Sequence, residues 1–79
     1  MNVRLVGYGI AKEILRARNL DFEFSGATIK DLKTELILRF PDFESLRSIS
    51  FAIGEEYRKD DYPVQPDDEI IIIPPVSGG

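Results

Sequence analysis

The sequence predicts an α+β domain in which a mixed sheet of four to five strands packs on one main helix, with the last strand at the sheet centre. Three observations carry this. Leu20, Phe22 and Phe24 alternate with polar residues, as do Ile49, Phe51 and Ile53 with small ones, the mark of strands with one wet face. Between them Ile29, Leu32, Leu36 and Phe40 recur at spacings of three and four, the stripe of an amphipathic helix. The unbroken run Ile70-Ile71-Ile72-Ile73 reads as a strand buried on both faces, hence central and beside a parallel neighbour.

In chain order, Val3 to Tyr8 is rich in Val, Leu and Tyr and suits a first strand. Gly7 and Gly9 mark a turn or a close approach at its end. Ile10 to Arg18 carries Ala11, Ile14, Leu15 and Ala17 at helical spacing, an excursion between two hairpin-like strands. Thr28 and Asp31 form a capping pattern ahead of the main helix, and Pro41 ends it by pushing Phe40 out of the α region. A loop then leads to Ile49. Gly54-Glu55-Glu56 reads as a tight turn into a short return strand at Tyr57-Arg58. Pro63 and Pro66 mark a loop closing at Asp67-Asp68, and Glu69 to Ile73 is the last strand. A parallel pair of first and last strands is allowed because the whole middle of the chain serves as the crossover.

Seventy-nine residues accommodate one core, read as a domain over 1–75 and an extended tail over 76–79. Ten basic against fourteen acidic side chains argue against nucleic acid or an anionic membrane as partner. Residues 1–39 are net +2 and residues 40–79 net −6; the acidic half suits a basic partner surface or simple solubility. Cysteine and histidine are absent, which excludes disulfides, Cys/His zinc sites, thiol nucleophiles and His-based triads. No apolar run approaches the ~20 residues of a spanning helix, and Arg4 and Gly7 interrupt any leader, so a cytoplasmic protein is expected. Asp67-Asp68-Glu69 lacks the spacing and glycine of a calcium loop, so no metal is expected. These residues, like Asp60-Asp61, read as solvated turns.

The tail is the unusual part. The last strand runs straight into Pro74-Pro75-Val76-Ser77-Gly78-Gly79. Two prolines cannot donate to a sheet and hold the chain extended, so six residues reach roughly 20 Å from the domain. Gly78 and Gly79 lack Cβ atoms and suit a narrow channel in a partner, where Gly79 presents its carboxylate. That carboxylate is inert until activated as an acyl-adenylate, which requires an ATP-using partner.

These residues resemble the small-subunit family of molybdopterin synthase, the sulfur carriers of the ubiquitin-like β-grasp group. The likeness covers the chain. It rests on the Pro-Pro-Val-Ser-Gly-Gly end, Asp68-Glu69-Ile70, Tyr8 with Lys12-Glu13, and Ala52-Ile53-Gly54. Departures are Gly54 for Asn, Asp67 for Gly, Lys12 for Arg, and Gly7 for a large apolar residue. The resemblance implies a non-catalytic subunit with no bound cofactor. Gly79 is adenylated by an enzyme similar to the ubiquitin-activating enzymes, with ATP consumed by that partner, and converted to a thiocarboxylate. It then gives sulfur to cyclic pyranopterin monophosphate on the large synthase subunit, within a heterotetramer, in molybdenum cofactor biosynthesis. Pro75, Val76, Ser77 and Gly78 then line the partner channel. Tyr8 is read as an interface anchor or a core residue, and Lys12 as a partner contact or a solvated lysine. A thiamine-thiazole sulfur carrier and a ubiquitin-like protein modifier are the alternatives.

Overall fold

The computed structural model describes residues 1–46 and 48–75. Five strands form one mixed sheet: β1 (Asn2–Gly7), β2 (Asn19–Glu23), β3 (Ser50–Ile53), β4 (Glu56–Arg58) and β5 (Glu69–Ile73), in the order β2-β1-β5-β3-β4. The last strand is therefore central. β5 runs parallel to β1, from Arg4 opposite Glu69 to Gly7 opposite Ile72, and antiparallel to β3, with Ser50 opposite Ile73. Two helices, α1 (Ile10–Leu15) and α2 (Ile29–Arg39), and a 3₁₀ segment (Pro41–Ser45) complete the fold.

One face of the sheet carries the core. Val3, Leu5, Phe22, Phe51, Ile70 and Ile72 pack with Leu15, Ile29, Leu32, Leu36 and Phe43 into a single buried cluster. Burial of an aliphatic or aromatic side chain contributes about 1.5–3 kcal/mol, so this cluster dominates stability. The isoleucine run divides by parity rather than being buried throughout: Ile70 and Ile72 are fully enclosed, while Ile71 and Ile73 are half-buried. Strand side chains alternate between faces, and both helices lie on the core side. Among the described residues no helix covers the other face. On that open face Asn19, Val6, Ile71, Ala52 and Tyr57 stand opposite one another as a row across all five strands.

Helix α2 begins where its capping pattern places it. The Asp31 amide donates to Thr28 Oγ1 at 3.3 Å, and the Asp31 carboxylate accepts from the Thr28 amide at 3.2 Å and the Ala27 amide at 3.0 Å. The Ile29 and Lys30 amides donate to the carbonyls of Tyr62 and Asp60, so the 59–66 loop satisfies the amides that the side-chain cap leaves over. The amides of Ala27 and then Thr28 hold the Asp31 carboxyl below the usual aspartate value.

Two further expectations change. Helix α1 stops at Leu15, not Arg18, with Arg16 in the left-handed region at φ 60°. The reason is pairing: the Arg18 carbonyl accepts from the Gly7 amide at 2.9 Å and β2 starts at Asn19, so the chain must reverse within three residues. The loop after Pro41 contains a 3₁₀ turn that drives Phe43 into the core, edge-on to Phe40 at 6.4 Å between ring centroids. Proline at its first position, with φ already fixed, favours this tight start. The hairpin turn is as expected: Gly54 and Glu55 both have positive φ, 64° and 68°, the geometry of a two-residue type I′ connection.

Candidate functional site: the carboxyl-terminal exit

The chain leaves the sheet from the middle of its most secure strand. β5 is hydrogen-bonded on both sides, and Ile70 and Ile72 pin it to the core. Pro74 follows half-buried and Pro75 exposed. The base of the exit is thus fixed in position and direction by the whole fold. Val76, Ser77, Gly78 and Gly79 lie outside the described residues; of the expected tail contacts, Pro75 alone is described.

Around the exit, the parallel register sets the end of β1 beside the end of β5. Tyr8, just past β1, is 48% exposed, which decides between its two readings: it is a surface residue rather than a core one. The Arg18 guanidinium lies over its ring, 5.1 Å from the centroid, a cation–π contact that orients the phenol. Lys12 is exposed on α1 and pairs with no acidic group among the described residues. The surroundings of Gly7 account for a glycine at this position. A Cβ there would sit 3.0 Å from the Lys12 backbone nitrogen, 3.1 Å from the Ala11 carbonyl carbon and 3.1 Å from Leu15 Cδ1. Helix α1 is pressed onto the strand at that point, and no larger side chain fits without moving it.

Sequence reasoning missed Arg18, whose place over Tyr8 depends on the reversal after Leu15. It missed also the row Val6, Ile71, Ala52 and Tyr57, which no local pattern reveals because it arises from four different strands in register. On the acidic side, Asp67, Asp68 and Glu69 stand at the opposite end of the sheet. The Asp67 amide donates to the Asn2 carbonyl and the Arg4 amide to the Asp68 carbonyl. A shallow depression there, lined by Asn2, Val3, Arg4, Asp21, Asp67 and Glu69, holds the Arg4–Asp21 ion pair at 3.7 Å. Its charges are exposed and its geometry is that of a solvated cross-strand pair. Among the described residues no cluster of His, Cys, Asp or Glu suits a metal ion, and no helix is long and apolar enough to cross a membrane.

Chemically, this exit holds no constellation of acid, base and nucleophile among the described residues. What the described residues offer is a rigid mount, the doubly paired β5, from which the chain continues past Pro75.

Similarity to known proteins extends over nearly the whole chain. Residues 8–79 match the ThiS family. The chain is 37% identical over 81 residues to the molybdopterin synthase sulfur carrier subunit of Arabidopsis thaliana, covering all of this chain and 84% of that protein. Among solved structures, it is similar to a putative molybdopterin converting factor, subunit 1, from Pyrococcus furiosus, with a TM-score of 0.84 at 19% identity over 96% of this chain and 99% of that one. Small archaeal modifier protein 1 of Haloferax volcanii gives a TM-score of 0.80 at 22% identity, with full coverage of both chains. At those identities the two structures speak for the fold alone, and that fold is the ubiquitin-like β-grasp. Family model, full-length relatedness and fold agree: the chain belongs to the ThiS family, as a ubiquitin-like sulfur carrier of the molybdopterin synthase small-subunit type.

Proposed function

We propose that this protein is the sulfur carrier subunit of a molybdopterin synthase and that Gly79 is the residue that carries the sulfur. The single observation behind the assignment is the junction of a central, doubly paired strand with a Pro-Pro-Val-Ser-Gly-Gly end. A partner similar to the ubiquitin-activating enzymes joins the Gly79 carboxylate to AMP, releasing pyrophosphate. A persulfide sulfur attacks the acyl carbon, AMP leaves, and a thiol cleaves the resulting S–S bond, so that its electron pair stays on a Gly79 thiocarboxylate. The thiocarboxylate then gives its sulfur to cyclic pyranopterin monophosphate in the large subunit, and water restores the carboxylate. The carrier contributes no acid, base or metal to these steps. It contributes a slim terminus, and a Tyr8 surface beside the exit against which a partner closes.

The decisive measurement is the intact mass of the protein after incubation with its activating enzyme, ATP and a sulfur donor. A gain equal to replacing one oxygen by sulfur, followed by loss of that gain on adding the large subunit and the pterin, is the expected result. Covalent ladders on other proteins would identify an amine-linked modifier instead, and sulfur release only to a thiazole-forming system would identify a thiamine-pathway carrier. An unchanged mass with enzymes shown to be active would refute the carrier assignment.

A further inference from the structure

The two prolines at the end of β5 face different neighbours, and the ladder reveals which faces which. The Arg4 amide donates to the Asp68 carbonyl at 2.9 Å. In a strand, successive residues direct their amide and carbonyl to opposite sides. Even-numbered residues of β5 therefore bond toward β1 and odd-numbered ones toward β3. Continued by one residue, the parallel ladder would direct the amide of residue 74 at the Tyr8 carbonyl. Continued likewise, the antiparallel register of Ser50 with Ile73 would set residue 75 against Ser48, exchanging two hydrogen bonds.

The Tyr8 carbonyl is already engaged, because it accepts from the Ala11 amide at 3.1 Å as α1 begins. The β3 side is different. Ser48 and Ile49 make no loop or cap hydrogen bond with another described residue, although Ile49 is buried and in line with β3. Among the described residues, Ser48 is therefore an unused position of the template that faces β5, while the amide and carbonyl of Ile49 turn by the same alternation toward the β4 side. A strand edge of this kind recruits any segment able to donate to it.

We propose that Pro75 is a strand stop that keeps β5 from growing along Ser48, so that the terminus is offered to a partner rather than to its own sheet, and that Pro74 guards the Tyr8 carbonyl for α1. Proline at 75 removes the one amide that would donate to Ser48; proline at 74 removes the one that would compete with Ala11. Both are positioning residues for the acyl chemistry at Gly79. The functional half of this inference rests on the carrier assignment; the structural half stands without it.

Amide hydrogen exchange of the full-length chain tests it, read at Ser48, whose amide is present in each of the single Pro74 and Pro75 variants. Pro75→Thr should raise Ser48 protection about tenfold or more over the unmodified protein, with the amide newly created at position 75 protected to match. Pro74→Thr should leave Ser48 unchanged. Pro75→Ala restores the same amide with a smaller side chain and should behave as Pro75→Thr does. Equal Ser48 protection in both Pro75 variants and the unmodified chain would overturn the strand stop. In parallel, the initial rate of thiocarboxylate formation should fall several-fold in Pro75→Thr without loss of thermal stability, and Ser48→Pro added to that variant should restore it. Strand growth with an unaltered loading rate would overturn the functional role. Absence of loading in the unmodified protein would count against the carrier assignment, while the Ser48 comparison still decides the strand stop.

Discussion

Substitution of Gly7 separates steric from conformational demands on glycine at the exit. Gly7 does not occupy a positive-φ conformation, so alanine is permitted by the backbone, and its cost is contact alone. The added Cβ would meet the Lys12 nitrogen at 3.0 Å and the Ala11 carbonyl carbon at 3.1 Å, both main-chain atoms of α1, besides Leu15 Cδ1 at 3.1 Å. Overpacking of this kind costs about 1–3 kcal/mol, against about 0.4–1 kcal/mol recovered by restricting the unfolded chain. Gly7→Ala should therefore destabilise by about 1 kcal/mol, lowering Tm by about 4–8 °C in a domain of this size, and Gly7→Val should cost more. Gly9 is the contrast. Nothing lies within 4 Å of its added Cβ, but φ 56° with ψ −128° is a region that side chains avoid, at about 1–3 kcal/mol. Urea denaturation in a Leu15→Ala background distinguishes the causes. Removing Leu15 takes away one of three contacts at Gly7, so at least half the cost of Gly7→Ala should persist, and the Gly9→Ala cost should be untouched. A Gly7→Ala protein as stable as the parent, or one fully rescued by Leu15→Ala, would refute main-chain crowding as the reason for this glycine.

Leu36 is fully buried between α2 and the sheet, so Leu36→Ala should cost about 2–5 kcal/mol by denaturant midpoint, enough to threaten a domain of this length. The Asp31 carboxyl is held below its ordinary value chiefly by the Ala27 and Thr28 amides. A depressed folded value means its contribution is present above the unfolded pKa and fades as pH falls through the folded one. Thermal melts from neutral to strongly acidic pH should show this fall below the usual aspartate range, and Asp31→Asn should flatten it. Thr28→Ala should cost about 1 kcal/mol at neutral pH through loss of the cap to the Asp31 amide. Deleting Gly79 should abolish sulfur loading by intact mass while Tm stays within about one degree, since the buried cluster spans Val3 to Ile72.

Much of the fold was legible in the chain because its local signals agree with its tertiary arrangement. The Thr28–Asp31 cap, the stripe of Ile29, Leu32 and Leu36, the alternation through Phe22 and Phe24, and the turn at Gly54 each follow from backbone or side-chain periodicity within a few residues. The isoleucine run identified the central strand, although hydrophobicity alone did not distinguish burial under helices, as at Ile70 and Ile72, from partial shielding by neighbouring strands, as at Ile71 and Ile73. The early end of α1 was not legible, because helical spacing continues through Ala17 and what stops it is the demand that Arg18 bond back to Gly7.

For the candidate site the division is sharper. Composition and the terminal hexapeptide alone establish a chain without cysteine or histidine, in which two prolines precede a pair of glycines. Those are properties of residue identity, which need no partner in space. Only the tertiary structure decided that Tyr8 is a surface residue beneath Arg18, that the acidic turn at Asp67-Asp68 stands at the opposite end of the sheet, and that the β3–β5 register, carried two residues on, sets Ser48 against Pro75. Each of these relates strands distant in sequence, and register between such strands is set by the packing of the whole core, not by any segment that takes part in it.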